Sequence, residues 1–356
     1  MAAPSIPETT TPLPLPALPL DLLSRTEEEA IRRVLLHTLD RTAAAAERLA
    51  DAADEEALHD FRVGMRRLRS QLTAFRDHVE DDVPRRIERR LRKAARATNR
   101  GRDAEVQAGA LVDIVGEKGG QLSRSARAAA GFLATRMAEE REAERAAPID
   151  RARRDFEAVR RALEKRLRIV HLQVDLVAAP REDAAGPTFG VLVAQLIENQ
   201  LAKTRQRLAE ARGIDPPDAL HAARIAGKRL RYLLEPLREV DPEVGPLLAE
   251  MKALQDLLGD FHDACVLEQT VGEALIDQAK DRAASAIEAT TASGLDSQAS
   301  RRARRRPMPW ALLELVALAR GRQRAAWRKL VRSRAERERL WAHLESRLEE
   351  WRRPPS

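Results

Sequence analysis

The sequence predicts an all-α protein, and three observations carry that prediction. Ala and Leu dominate the apolar 44 % of the chain while aromatics supply only 3 %, which is the usage of long helices rather than of sheets. Apolar residues recur at helical spacing, as at Leu58, Phe61, Met65, Leu68 and Leu72. That stretch also returns: most of His59–Arg69 reappears as His221–Arg231, 162 residues later. An internal duplication accounts for these matches together. The expected architecture is all-α, built from two repeats.

Taken in order, residues 1–25 are proline-rich and read as a flexible or polyproline-like arm, for which a peptide-ligand role stays open. Helical periodicity begins near Thr26, whose hydroxyl followed by Glu29 resembles a capping box, and runs to about Asp51. A second helix covers about 55–80. Pro84 suits a helix first turn and opens a third helix to about Asn99, and Arg102–Val115 reads as a fourth. Gly116, Gly119 and Gly120 break it, and helices follow at about 122–145 and 149–178.

Ala179–Pro187 carries two prolines and a glycine and is the best boundary in the chain. It divides a first half, 26–178, from a second, 188–350, with 179–187 as linker. Helices are expected at about 188–212, 217–240 and 243–259, and another from about 261. Residues 283–308 lose periodicity and end in five arginines, so they read as a flexible basic insert. Helix resumes near Pro309 and continues to about Trp351; its four tryptophans are assigned to packing.

The net charge of +7 favours acidic partners: nucleic acid, an anionic surface or a phosphate polymer. From Arg85 to Arg102 nine Lys or Arg stand against Glu88 alone. Two readings stay open for that run, a ligand-facing wall and a solvated face. One cysteine, Cys265, excludes an intrachain disulfide framework. No segment has the length of a membrane span, and prolines interrupt the N-terminal leucines, so neither membrane insertion nor a signal peptide is expected. The expectation is a soluble cytoplasmic protein.

On a helix of about 100° per residue, His59, Arg62, Arg66 and Arg69 gather on an arc beside the apolar stripe. His221, Arg224, Lys228 and Arg231 do the same in the second copy. Cations held at the edge of a core, where water is scarcer, attract polyanions, and guanidinium forks match phosphate oxygens. Arg41 and Lys203 stand 18 residues before the two histidines and correspond to each other. A metal role for His59 or His221 is disfavoured by the three cations flanking each. His262 and Cys265 form at most half a zinc site, and Asp103 and Asp263 are read as orienting arginines or capping helices. No Gly-rich phosphate loop, paired-carboxylate metal site or activated nucleophile is found, so binding without catalysis, metal or cofactor is expected.

The elements H-x-x-R-V-x-x-R-R-L-R at 59–69, L-H-x-x-R-I-x-x-K-R-L-R-Y at 220–232 and L-Q-D-L-L-G-D-x-x-D at 254–263 resemble the two halves of the CHAD family, the conserved-histidine α-helical domain. The resemblance covers about 26–350. It implies two pseudo-symmetric helical halves around a basic groove that binds inorganic polyphosphate, with association at polyphosphate granules as a further expectation. The residues it assigns to the ligand are the eight motif cations, with Arg41, Lys203, Arg89, Arg92, Arg96 and Lys252 completing the expected groove. Arg89 and Arg96 correspond to Ala249 and Asp256, which predicts a lopsided groove stronger in the first half. A nucleic-acid-binding bundle is the rival reading, and a phosphate-processing enzyme the third.

Overall fold

A computed structural model describes residues 17–51, 54–116, 122–143, 146–177, 187–295, 297–304 and 310–353. The fold is all-α. The helices are α1 (Glu27–Arg48), α2 (Glu55–Ala74), α3 (Arg76–Val79), α4 (Arg85–Gly116), α5 (Arg124–Ala143), α6 (Ala146–Val177), α7 (Phe189–Glu210), α8 (Asp218–Leu234), α9 (Val244–Ser293), α10 (Gln298–Arg304), α11 (Trp310–Arg332) and α12 (Arg334–Trp351). The sole β feature among the described residues is an isolated antiparallel bridge between Thr26 and Thr188, where the Phe189 amide donates to the Arg25 carbonyl at 2.9 Å. It ties the start of α7 to the start of α1.

The repeated helices bury the stripe that their spacing demands. On α2, Phe61, Met65, Leu68 and Leu72 are fully buried, and on α8 so are Ala223, Leu230 and Leu234. Phe61 meets Phe156 of α6 edge-on at 5.3 Å, a favoured aromatic geometry. Asp54 caps α2 by accepting from the Ala57 amide at 3.0 Å. Positions 162 apart play matching local parts on α1 and α7: Thr42 donates to the Thr38 carbonyl, and Thr204 to the Gln200 carbonyl, both from fully buried hydroxyls. Thr42 closes on Gly64 of α2, whereas on α8 Gly227 is approached by Gln255 of α9, with the Thr204 methyl farther off.

Two apolar cores result. The larger joins α1, α2, α6, α7, α8 and α12 with the first parts of α4 and α9. The smaller gathers Leu111 and Ile114 of α4, Leu133 of α5, Leu267 and Val271 of α9, and Leu312 and Leu315 of α11. Asp241, buried ahead of α9, accepts from Arg347 Nε at 2.6 Å and Trp351 Nε1 at 2.7 Å, pinning α12 to the larger core.

Several expectations are corrected. The arm is not free along its whole length: Leu18 and Leu22 are buried in the larger core, and residues 1–16 lie outside the described ones. Thr26 occupies the α1 cap position but makes no side-chain cap hydrogen bond, and the Glu29 carboxylate pairs with Arg25 and Arg33. The helices expected either side of residues 99–102 are one, α4; packing on α5 and α6 outweighs the roughly 1 kcal/mol cost of Gly101 inside a helix. Likewise α9 runs unbroken through 259–261 and on to Ser293, so 283–293 is helix rather than linker. Alanine there sustains helix without an amphipathic stripe, and Gly294, at φ 80°, ends it. The last helix is two, turned at Ser333. Trp341 and Trp351 are buried, whereas Trp310 is 63 % exposed.

Candidate anion-binding site

Where α2 crosses α8, their cationic arcs turn toward one another. Arg66 Nη1 approaches the Tyr232 hydroxyl at 3.5 Å, and Arg67 pairs with Glu235. A cavity of about 850 Å³ opens beside this crossing, lined by His59, Arg62 and Arg66 of α2 and by His221, Arg224 and Lys228 of α8. Six of the eight motif cations are thus brought together. Arg62 is only 8 % exposed, and Arg66, Arg224 and Lys228 are half-buried, so the charges sit at the core edge as the spacing required.

The electrostatic consequence is concentrated at Lys228. Burial, and then the neighbouring Arg224, Arg66 and Arg231, bring its ammonium down to about 7; Asp263 acts in the opposite direction but does not offset them. Arg69 continues the cluster away from the cavity, its pKa lowered by burial and by Arg92, Arg66, Arg229 and Arg96. A like-charge group of this kind, reaching from α2 and α8 to α4, is costly unless an anion joins it.

The remaining assigned residues divide. Arg92 and Arg96 stand beside Arg69, and Arg89 and Arg92 line a separate cavity of about 350 Å³ with Thr73, Arg76, Arg85 and Glu88. Arg231 lies over the Tyr232 ring at 5.4 Å and pairs with Glu235 at 3.4 Å, so it borders the cluster without lining the larger cavity. Arg41 is not in the cavity: it pairs with Glu239 at 2.9 Å. Lys252 is exposed and paired with Asp256 at 2.6 Å, and Lys203 is exposed on α7. None of these three lines that cavity. Offset arithmetic puts a residue at the matching sequence position, but carboxylates peculiar to one half redirect it or the helix face leaves it in solvent. The side chains of Arg100, Arg102 and Asp103 lie outside the described residues.

Two contributors escaped the sequence reading. His262 of α9 faces His221, with ring centroids 5.1 Å apart and Nδ1 atoms 3.4 Å apart. Burial and the charges of Arg224, His221 and Lys228 take its imidazole down to about 4. The available signal was the echo of Arg102–Val106 in His262–Val266, 160 residues on. Arg136 of α5 also lines the cavity and belongs to no repeated motif. His262 does not act with Cys265, whose thiol burial pushes up to about 11. Among the described residues no group of three or more His, Cys, Asp or Glu can hold a metal ion, and no helix is long and apolar enough to cross a membrane.

Comparison with known proteins bears on fold and family. A family model described as CHAD domain matches residues 33–272. The crystal structure of the CHAD domain from the plant Ricinus communis is similar to this chain with a TM-score of 0.60 and 18 % identity, covering 95 % of this chain and 98 % of that one. PptA from Streptomyces chartreusis aligns at 16 % identity with a TM-score of 0.39, over 87 % of this chain and 99 % of its own. No curated protein matches the sequence.

Proposed function

Since this chain belongs to the CHAD family, we propose that its cationic cavity binds inorganic polyphosphate, without turnover and without a cofactor. The observation that supports the reading is the convergence of Arg62 and Arg66 from α2 with Arg224 and Lys228 from α8 on one cavity, at the edge of the core. Such a group offers guanidinium and ammonium donors well matched to a string of phosphate oxygens, each able to accept forked hydrogen bonds. The repeated α2 and α8 arcs would form the two walls of one groove, with Arg69, Arg92 and Arg96 extending it. In the cell, the same property would attach the protein to polyphosphate granules.

Titration of the protein with long-chain polyphosphate, at low and at moderate salt, tests the reading. Affinity at micromolar or better is expected, weakening about tenfold or more as salt rises from about 0.05 to about 0.2 M, because several ion contacts release counterions. Duplex DNA, the rival ligand on charge alone, should compete poorly. Tight DNA binding with no displacement by polyphosphate would favour the nucleic-acid reading instead, and phosphate release with magnesium would favour an enzyme.

A further inference from the structure

The cationic lining has a direction. Along α2 it runs from Arg69 back through Arg66 and Arg62 to His59, about 15 Å at 1.5 Å per residue. On α8 it runs back through Lys228 and Arg224 to His221, where His262 of α9 closes on it. Beyond this histidine pair the wall is taken over by α9, and its character reverses. Asp263 comes first and acts on Lys228, Gln269 and Thr270 follow, and then come the exposed carboxylates Glu273 and Asp277, which have no cation of α8 beside them in the lining. Asp277 lies about 22 Å past His262 along the helix. Arg136 is the one cation among the described lining residues at that end.

A uniform polyanion threaded through the cavity would have to pass those carboxylates, against their field. At the other end cations prevail: Arg69 leads on to Arg92 and Arg96, and Arg92 to the smaller cavity with Arg85 and Arg89, where the one carboxylate among the described lining residues, Glu88, is paired with Arg76. The chemistry at the turning point also fits a chain terminus. A terminal phosphate carries an extra ionisable oxygen, with a second pKa near about 6, that interior phosphates lack. Two imidazoles and the Lys228 ammonium are groups able to meet that additional charge as hydrogen-bond donors.

Resting on the polyphosphate reading above, we propose that the cavity captures a chain end, holding the terminal phosphate at His221 and His262 while the polymer leaves past Arg69 and Arg92. Glu273 and Asp277 set the direction by turning away any continuation of the chain.

The test is the number of protein molecules bound per chain, measured with size-fractionated polyphosphates of short, medium and long length. End capture gives at most two proteins per chain whatever the length. A stoichiometry that grows in proportion to length overturns end capture and leaves polyphosphate binding standing; absence of binding at every length overturns both. Chains whose termini are blocked as phosphoramidates should bind about tenfold more weakly, the loss of one charge-assisted contact, and equal affinity contradicts the proposal. The double variant Glu273→Lys/Asp277→Lys changes exposed residues only, so it should fold. Its stoichiometry should begin to rise with chain length, and one that stays at two removes the carboxylates from the account.

Discussion

His221 and His262 stand face to face between α8 and α9, with their Nδ1 atoms 3.4 Å apart. Two neutral imidazoles at that distance can share one proton, whereas both must donate outward to hold an anion. In the free protein burial and nearby cations keep His262 down to about 4 and Lys228 down to about 7. A bound phosphate would restore both protons, so binding should take up protons and affinity should fall as pH rises. For Lys228 the fall begins above about 7 and ends at its higher bound value. Calorimetry between about pH 6 and 9, in buffers of different ionisation heat, should show proton uptake; a flat affinity across that window contradicts the assignment.

The same lysine should make the unliganded protein less stable than it need be. Its folded pKa of about 7 lies below the ordinary lysine value of 10.5, so charging it in the fold is disfavoured. That penalty is fully present below about 7 and is relieved as pH climbs to 10.5. Lys228→Met should therefore be more stable than the parent at pH 6 by about 1–3 kcal/mol, with the gap closing toward alkaline pH. Thermal melts at pH 6 and 9 check this. Equal melting temperatures at pH 6 would mean the cluster is not strained.

Gly64 is needed where α2 closes on α1. A Cβ at this position would come within 2.4 Å of the Thr42 hydroxyl oxygen, itself buried and bonded to the Thr38 carbonyl. Gly64→Ala gains roughly 1 kcal/mol of helix propensity but must displace that threonine, so a net loss of about 1–2 kcal/mol is expected. Adding Thr42→Ala should recover part of it. Chemical denaturation of the two variants reads both effects.

Asp241 is a single carboxylate holding Arg347, Trp351 and the Glu243 amide. Asp241→Leu strips partners from a buried indole N–H and a half-buried guanidinium, and should cost about 3 kcal/mol. The melting temperature should drop, and Trp351 fluorescence should shift as α12 loosens.

How far the sequence reaches is visible in these residues. The apolar stripes of α2 and α8 were readable because packing enforces a 3.6-residue period, and their cationic arcs followed from the same geometry. The continuity of α4 and α9 was not, since local breakers such as Gly101 and Gly259 are overruled by neighbours that only the fold supplies. Arg41 illustrates the same limit. Its spacing from His59 matches that of Lys203 from His221, yet Glu239, far along the chain, claims it. In the sequence His262 has Cys265 as its nearest partner for chemistry, and that pair makes at most half a zinc site. Its real neighbour is His221, on another helix.

The most direct test of the central claim is the polyphosphate affinity of Arg66→Glu/Lys228→Glu, measured beside its helical content. Both residues lie in the cavity wall, one from each repeated helix. Loss of most of the binding, on the order of a hundredfold or more with circular dichroism unchanged, is the predicted result. Unchanged affinity in a folded double variant would contradict the account.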